Sequence, residues 1–100
     1  MLVQGTLTTT KNQIYTCPAS TKAEVKTIKI HNITTETTSV ELFSKKASSL
    51  RFDSFVLNGG ESIEISPSFP MVFVATEGIE GQAGANSSVT FFIGGRESVV

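Results

Sequence analysis

Three residues of types that carry out acid–base and nucleophilic chemistry occur in the chain: His31, Asp53 and Ser54. His31 is the only histidine and Asp53 the only aspartate. A Ser-His-Asp triad places its nucleophile on a tight turn beside backbone donors for an oxyanion, and no such Gly motif surrounds Ser54. We therefore expect His31 to be a partly exposed polar residue of a strand. We expect no catalytic residues and no enzymatic activity.

Residues that could bind a metal ion or a cofactor are also few. Cys17 and His31 are the only soft ligands, whereas a structural zinc site uses four Cys or His ligands. The acidic residues lack the spacing of a calcium loop, and the glycines of residues 78–84 lack the lysine and the spacing of a phosphate-binding loop. No basic residue adjoins Cys17, so we expect a small half-buried residue rather than a reactive thiol. The sequence predicts no metal site and no cofactor.

Length and charge restrict the class of protein. The chain has 100 residues and a formal net charge of −1. This length predicts one domain, residues 1–100, with a core over residues 3–95 and a tail over residues 96–100. A balanced charge does not favour a basic stripe for nucleic acid, no apolar run could span a membrane, and no segment resembles a signal peptide. We expect no nucleic-acid or membrane partner, and folding in a cytoplasm.

The pattern of apolar residues favours an all-β fold. Beta-branched residues recur throughout, and no window keeps the apolar period of a helix. About eight short strands follow one another at spacings of about 8 to 12 residues, which is typical of an antiparallel β-sandwich with jelly-roll-like connections. The clearest strands lie in residues 55–76. There we expect residues 58–60 (NGG) to form a hairpin turn, and residues 71–76, apolar on both faces, to form a central covered strand.

Some segments depart from simple alternation. In the longest strand candidate, residues 22–33, the apolar phase slips near Lys26 and Thr27, which predicts a β-bulge. Gly5 in the first strand indicates a bulge or a close approach of another group. Residues 77–88 contain three glycines and no periodic pattern, so we predict that they form the longest loop.

Aromatic residues that we do not expect to be buried in the core are the main indication of function. We expect Tyr15, Phe43 and Phe69 to be exposed. Phe91 and Phe92 are consecutive and point to opposite faces of the last strand, so at least one of them leaves its own core. Exposed apolar patches usually mark interfaces. We therefore predict that these aromatic residues form a protein interface, together with pairing between edge strands.

The order of these features is similar to that of small β-sandwich virion proteins of tailed bacteriophages. The similarity spans residues 3–95 and depends on four segments: 14–19 (IYTCPA), 23–32 (AEVKTIKIHN), 40–43 (VELF) and 60–65 (GESIEI). The Gly-Asp-x-Ile element that often precedes the last strand in this group is replaced here by residues 77–80 (EGIE). The resemblance implies a particle component without enzymatic activity that decorates the capsid or forms part of the tail.

The resemblance implies a capsid decoration or cement protein of the virion, and the absence of a catalytic constellation agrees with it. We expect it to form a homo-oligomer such as a trimer and to bridge subunits of the major capsid protein. One alternative is a tail-, baseplate- or fibre-associated structural protein with the same fold. Another, from a different class, is a carbohydrate-binding module that contacts the host surface; it is less favoured because Trp is absent and Tyr occurs once. Assembly in the host cytoplasm agrees with a free thiol.

Overall fold

The computed structural model describes residues 2–100. Within these residues the chain forms nine strands and no helix, so none that could cross a membrane. The strands are β1 (Val3–Thr6), β2 (Asn12–Thr16), β3 (Thr21–Asn32), β4 (Thr38–Lys45), β5 (Ser49–Leu57), β6 (Ser62–Ile65), β7 (Met71–Val74), β8 (Gly78–Ala83) and β9 (Val89–Val99).

The strands form two antiparallel sheets. The A sheet has the order β1-β9-β3-β6, with β7 also paired to β3, and the B sheet has the order β2-β8-β4-β5. β6 pairs with residues 28–31 of β3 and β7 pairs with residues 22–25, so the two behave as one interrupted strand. Counted in that way, the sheet orders are 1-8-3-6 and 2-7-4-5, which is jelly-roll connectivity. The predicted β-sandwich with jelly-roll-like connections is confirmed.

The long strand β3 contains the predicted bulge. Its pairing with β9 shifts register between Val25 and Thr27, so Lys26 is the extra residue. Because of this shift, Val25 and Ile28 both face the core although three positions separate them. The close approach predicted at Gly5 is also confirmed, since a β-carbon there would lie 3.0 Å from Cζ of Phe91.

The core lies between the inner faces of the two sheets, where alternate residues of most strands point inward. Its largest fully buried apolar side chains are Leu7, Val25, Ile28, Ile30, Val40, Leu42, Phe73, Ile79, Val89 and Ile93. Three polar residues of the described chain are buried as well, and the most completely buried of them is Asn32 at the end of β3; the other two are Thr38 and Ser88.

The turn at residues 58–60 does not form the predicted hairpin. β5 belongs to the B sheet and β6 to the A sheet, so these residues form a corner between the sheets. The local chemistry is still that of a tight turn, because Gly60 has a φ of 79° and a β-carbon at Gly59 would lie 2.4 Å from the backbone of Thr35. Turn residues indicate a reversal of the chain but not which sheet the next strand joins.

The prediction that residues 71–76 form a central covered strand is wrong. β7 spans Met71–Val74 and pairs only with β3 among the described residues, so it is an edge strand. Phe73 points into the core, whereas Val72 and Val74 are exposed on the outer face. An apolar run covered on both faces and an apolar run with one exposed face have the same residue pattern.

The prediction that residues 77–88 form a loop is also wrong. β8 lies in the interior of the B sheet between β2 and β4. Its glycines are required by packing: a β-carbon at Gly78 would lie 1.8 Å from the carbonyl oxygen of Tyr15, and one at Gly81 would lie 3.1 Å from Leu7. The actual loop is confined to residues 84–88. In the sequence, a glycine that is needed for close packing of strands looks the same as a glycine in a flexible loop.

The predicted tail over residues 96–100 is paired rather than free. β9 continues to Val99 and pairs with the start of β3, with Val99 opposite Thr21. Val100 donates its backbone N–H to the carbonyl oxygen of Ser20 at 3.0 Å. The last strand therefore pairs with β3 along its full length and places Glu97 at the end of the core.

Candidate interaction surfaces

The structure does not bring together the three residues that could form a triad. His31 lies in β3 of the A sheet, whereas Asp53 and Ser54 lie in β5 at the edge of the B sheet. Nδ1 of His31 is 2.6 Å from Oγ of Ser62 on the neighbouring strand β6, and the Asp53 carboxylate accepts a hydrogen bond from the backbone N–H of Ser54 at 2.9 Å. Within residues 2–100, no group of three His, Cys, Asp or Glu residues is arranged to hold a metal ion.

Cys17 is more deeply placed than predicted. It is 1% exposed rather than half-buried, and its thiol donates a hydrogen bond to the carbonyl oxygen of Thr21 at 3.3 Å. Burial raises the pKa of the Cys17 thiol, and the nearby Glu97 carboxylate raises it further. Because the thiolate is the reactive form, this environment keeps the sulfur unreactive in the folded protein.

Two of the five predicted interface aromatics are buried. Tyr15 was expected to be exposed, but it is 5% exposed because β2 directs its ring between the sheets, where its hydroxyl reaches Glu97. Phe91 is also buried and packs over Gly5. Phe92 is exposed on the opposite face, as expected for one of two consecutive residues in a strand.

Phe43 is partly exposed on the outer face of the B sheet. The Lys11 ammonium lies 4.7 Å from the centroid of its ring, a cation–π geometry. Lys11 also donates a hydrogen bond to Ser49, which in turn bonds Glu80. The ring therefore has a partner within the chain, which makes it a poorer candidate for an interface than its sequence context suggested.

Phe69 is the most exposed aromatic side chain in the described residues. It is 84% exposed and lies between Pro67 and Pro70, in the segment that separates β6 from β7. Val72 and Val74 of β7 are exposed on the outer face of the same edge. We call Phe69, Val72 and Val74 the β7 strip. It is an apolar surface at the edge of the A sheet.

The backbone of β7 is capped by two charged side chains. Lys46 donates a hydrogen bond to the carbonyl oxygen of Val72 at 2.9 Å, and Glu77 accepts one from the backbone N–H of Val74 at 3.0 Å. Lys46 and Glu77 form an ion pair of 3.4 Å, which we call the β7 clamp. The backbone hydrogen bond from Val74 lowers the pKa of Glu77, and Lys46 lowers it further. Charged residues at an edge strand hinder pairing with another chain.

A second surface is an open groove of about 880 Å³ on the outer face of the A sheet. Two rows of outward-facing side chains line it. Strand pairing gives the first row as Gln4, Phe92 and Lys29, which Glu64 continues beyond the lining, and the second row as Thr6, Thr90, His31 and Ser62. We call this the A-sheet groove. Phe92, which is 41% exposed, is the only aromatic member of the two rows.

Sequence reasoning missed both the β7 clamp and the A-sheet groove. Alternation alone could have placed Gln4 with Thr6, or Lys29 with His31, on one outer face of its own strand. The adjacency of β1, β9, β3 and β6 could not be read in the same way, because the strands are far apart in the chain. Comparison of the chain with protein-family models and with curated protein sequences gives no match.

Proposed function

We propose that the chain is a non-enzymatic structural protein of a tailed-bacteriophage particle, namely a capsid decoration protein that bridges major capsid subunits. The observation that carries the proposal is the exposure of Phe69, 84% of whose surface is in solvent. Phe69 precedes a strand on which Val72 and Val74 are also exposed, and exposed apolar residues of this kind mark a protein interface. The jelly-roll sandwich is compatible with the resemblance to small virion proteins.

The β7 strip suits docking by side chains. Full burial of a Phe side chain contributes about 1.5–3 kcal/mol relative to leaving it exposed. Pro67 and Pro70 restrict the backbone on both sides of Phe69, so little backbone conformational entropy is lost when a partner covers the ring. The β7 clamp occupies the carbonyl oxygen of Val72 and the backbone N–H of Val74, which disfavours pairing of this edge strand with another chain.

Association between copies has a different candidate surface. β5 is a nine-residue edge strand that pairs only with β4 among the described residues. Leu50, Phe52 and Val56 are exposed along it. A long apolar edge strand is a template for pairing with another chain. We assign homo-oligomer formation to β5 and capsid contact to the β7 strip.

Capsids assembled without the protein provide the direct test. Wild-type protein should bind saturably at capsid lattice sites, and Phe69→Ser should bind about tenfold more weakly or worse. Phe92→Ser is the matched control, because it removes an exposed Phe outside the β7 strip and should bind as wild type does. Absence of capsid binding, or binding that Phe69→Ser leaves unchanged, would overturn the proposal. Binding to isolated tails instead would support the tail-associated alternative.

Light scattering tests the oligomer. We expect a concentration-dependent mass above that of a 10.7 kDa monomer, and a lower mass for Val56→Asp, which puts a charge on the β5 edge. A strict monomer at every concentration would contradict the assignment of β5.

A further inference from the structure

We propose that the A-sheet groove binds a short saccharide that carries a carboxylate group. This site lies on the outer face of β1, β9, β3 and β6, away from the β7 strip, and the inference does not depend on capsid binding. It has the three features that such a ligand requires: an aromatic face, neutral hydrogen-bonding groups and an ammonium group that forms no ion pair among the described residues.

The aromatic face is that of Phe92. Its cross-strand neighbours are Gln4 on β1 and Lys29 on β3, and two residues further along β9 stands Gly94, which has no side chain to cover the ring. The faces of aromatic rings are negative, and the C–H bonds on one face of a sugar ring are weakly positive. A sugar stacked on Phe92 would therefore be favoured by both polarity and the burial of apolar surface.

Neutral polar groups surround the ring on the same face. Thr6, Thr90 and Ser62 have hydroxyl groups that both donate and accept hydrogen bonds, and Gln4 has an amide that does the same. The bond between Nδ1 of His31 and Ser62 orients the imidazole. Neighbouring strands in a sheet are about 4.8 Å apart, so the rows present such groups at intervals similar to the width of a sugar ring.

The charge in the groove favours an anionic ligand. Lys29 forms no ion pair within residues 2–100. The carboxylate opposite it on β6, that of Glu64, accepts hydrogen bonds from Thr27 at 3.4 Å and from Ser66 at 3.5 Å. No carboxylate lies within ion-pair distance of the Lys29 ammonium in the described residues, so it can bind a carboxylate ligand. A single ammonium matches a single carboxylate better than it matches a chain of phosphates, which usually needs several cations or backbone donors.

The volume is appropriate for such a ligand. Binding sites for small molecules have volumes of about 300–1,000 Å³, and the groove has about 880 Å³. Its lining combines polar side chains with the exposed ring of Phe92, which suits a ligand that both forms hydrogen bonds and stacks on an aromatic face.

The test is titration calorimetry of the full chain with oligosaccharides that contain uronic acid or sialic acid. The same oligosaccharides with the carboxylate reduced to an alcohol serve as the neutral arm, and sodium acetate serves as the carboxylate alone. We expect binding of the acidic forms, binding of the reduced forms about tenfold weaker, and no measurable binding of acetate. Absence of saccharide binding, or equal binding of acidic and reduced forms, would overturn the proposal.

Variants identify the site. Phe92→Ala and Lys29→Gln should each weaken binding of the acidic saccharide by about tenfold. Arg96→Gln is the matched control for the charge, because Arg96 lies on β9 outside the groove lining. Phe69→Ala is the matched control for the aromatic ring. Both controls should bind as wild type does, and thermal melts verify that all four variants are folded. Binding that survives Phe92→Ala and Lys29→Gln would contradict the assignment, whatever the result with capsids.

Discussion

The hydroxyl of Tyr15 donates a hydrogen bond of 2.6 Å to Oε2 of Glu97. Tyr15 belongs to β2 of the B sheet and Glu97 to β9 of the A sheet, so this bond joins the two sheets at one end of the sandwich. Burial raises the pKa of the Tyr15 hydroxyl, and the bond to the Glu97 carboxylate raises it further. The phenol therefore stays protonated and able to donate the bond.

Removal of this bond should destabilise the protein. Tyr15→Phe keeps the ring and loses the donor, so we expect the free energy of unfolding to fall by about 1–2 kcal/mol. Denaturant unfolding of Tyr15→Phe, Glu97→Ala and the double variant measures the coupling between the two residues, expected at about 1 kcal/mol. Additive effects of the two single substitutions would show that the bond contributes nothing to stability.

Asn32 connects three segments from within the core. Its Nδ2 donates hydrogen bonds to the carbonyl oxygens of Glu36 at 2.7 Å and Leu57 at 3.1 Å, and its Oδ1 accepts one from the backbone N–H of Thr34 at 2.9 Å. Asn32→Ala removes these hydrogen bonds and leaves the buried carbonyl oxygen of Leu57 without this donor, so we expect a loss of about 2–4 kcal/mol in chemical unfolding.

Two variants test the explanation for Asn32. Asn32→Asp has no Nδ2 donor and adds a buried charge, so it should be at least as unstable as Asn32→Ala. Asn12→Ala, at an exposed position, should change stability by less than about 1 kcal/mol. A stable Asn32→Asp variant would mean that the amide donors of Asn32 are not needed.

The β7 clamp should protect the protein from self-association. Glu77→Ala removes the acceptor of the Val74 backbone N–H and leaves an apolar edge strand uncapped, so light scattering should show more aggregation than for wild type. Glu36→Ala, which removes an exposed carboxylate that makes no hydrogen bond in the described residues, is the matched control. Equal aggregation of Glu77→Ala and Glu36→Ala would refute a protective role.

The lowered pKa of Glu77 predicts how stability depends on acid. An unfolded glutamate titrates near pH 4.5, and the folded carboxylate titrates below that. The contribution of Glu77 to stability is therefore complete above pH 4.5 and is lost as the pH falls through the folded pKa. Unfolding measured from pH 7 to pH 3 should show a smaller loss of stability for Glu77→Gln than for wild type. Parallel pH profiles for the two proteins would contradict this expectation.

Gly78 should not accept a side chain. A β-carbon there would lie 1.8 Å from the carbonyl oxygen of Tyr15, so Gly78→Ala must separate β2 from β8. We expect a loss of about 3 kcal/mol or more in the free energy of unfolding. Gly60→Ala is the contrasting case, because no atom lies within 4 Å and only its positive φ of 79° is costly, about 1–2 kcal/mol. A larger effect at Gly60 than at Gly78 would contradict the packing argument.

Much of the fold follows from local patterns in the sequence. Alternation of apolar and polar residues predicts most of the strands, and the phase slip in residues 22–33 predicts the bulge at Lys26. Alternation also predicts that the side chains of Phe91 and Phe92 point to opposite faces of β9. These features depend on neighbours along the chain, since the side-chain direction alternates with each residue of a strand.

The wrong predictions concern strands whose environment is formed by distant segments. Residues 77–88 have the composition of a loop, and only the pairing of β8 with β2 and β4 shows that its glycines are packed between strands. Tyr15 was predicted to be an exposed aromatic residue, because the sequence does not show that its hydroxyl bonds Glu97 of β9. The candidate surfaces depend on the same kind of information, because Lys46 reaches β7 and Lys29 adjoins Phe92 only in the folded chain.

The sequence by itself determined that this protein is an antiparallel β-sandwich, and it indicated Phe69 as an exposed residue, because strand period and flanking prolines are local properties. Only the tertiary structure decided that the corner at residues 58–60 joins different sheets, that β7 is a capped edge, and that Gln4, Phe92 and Lys29 line one groove. The physical reason is that hydrogen bonds between strands connect residues regardless of their separation in the chain, so no local pattern specifies the partner.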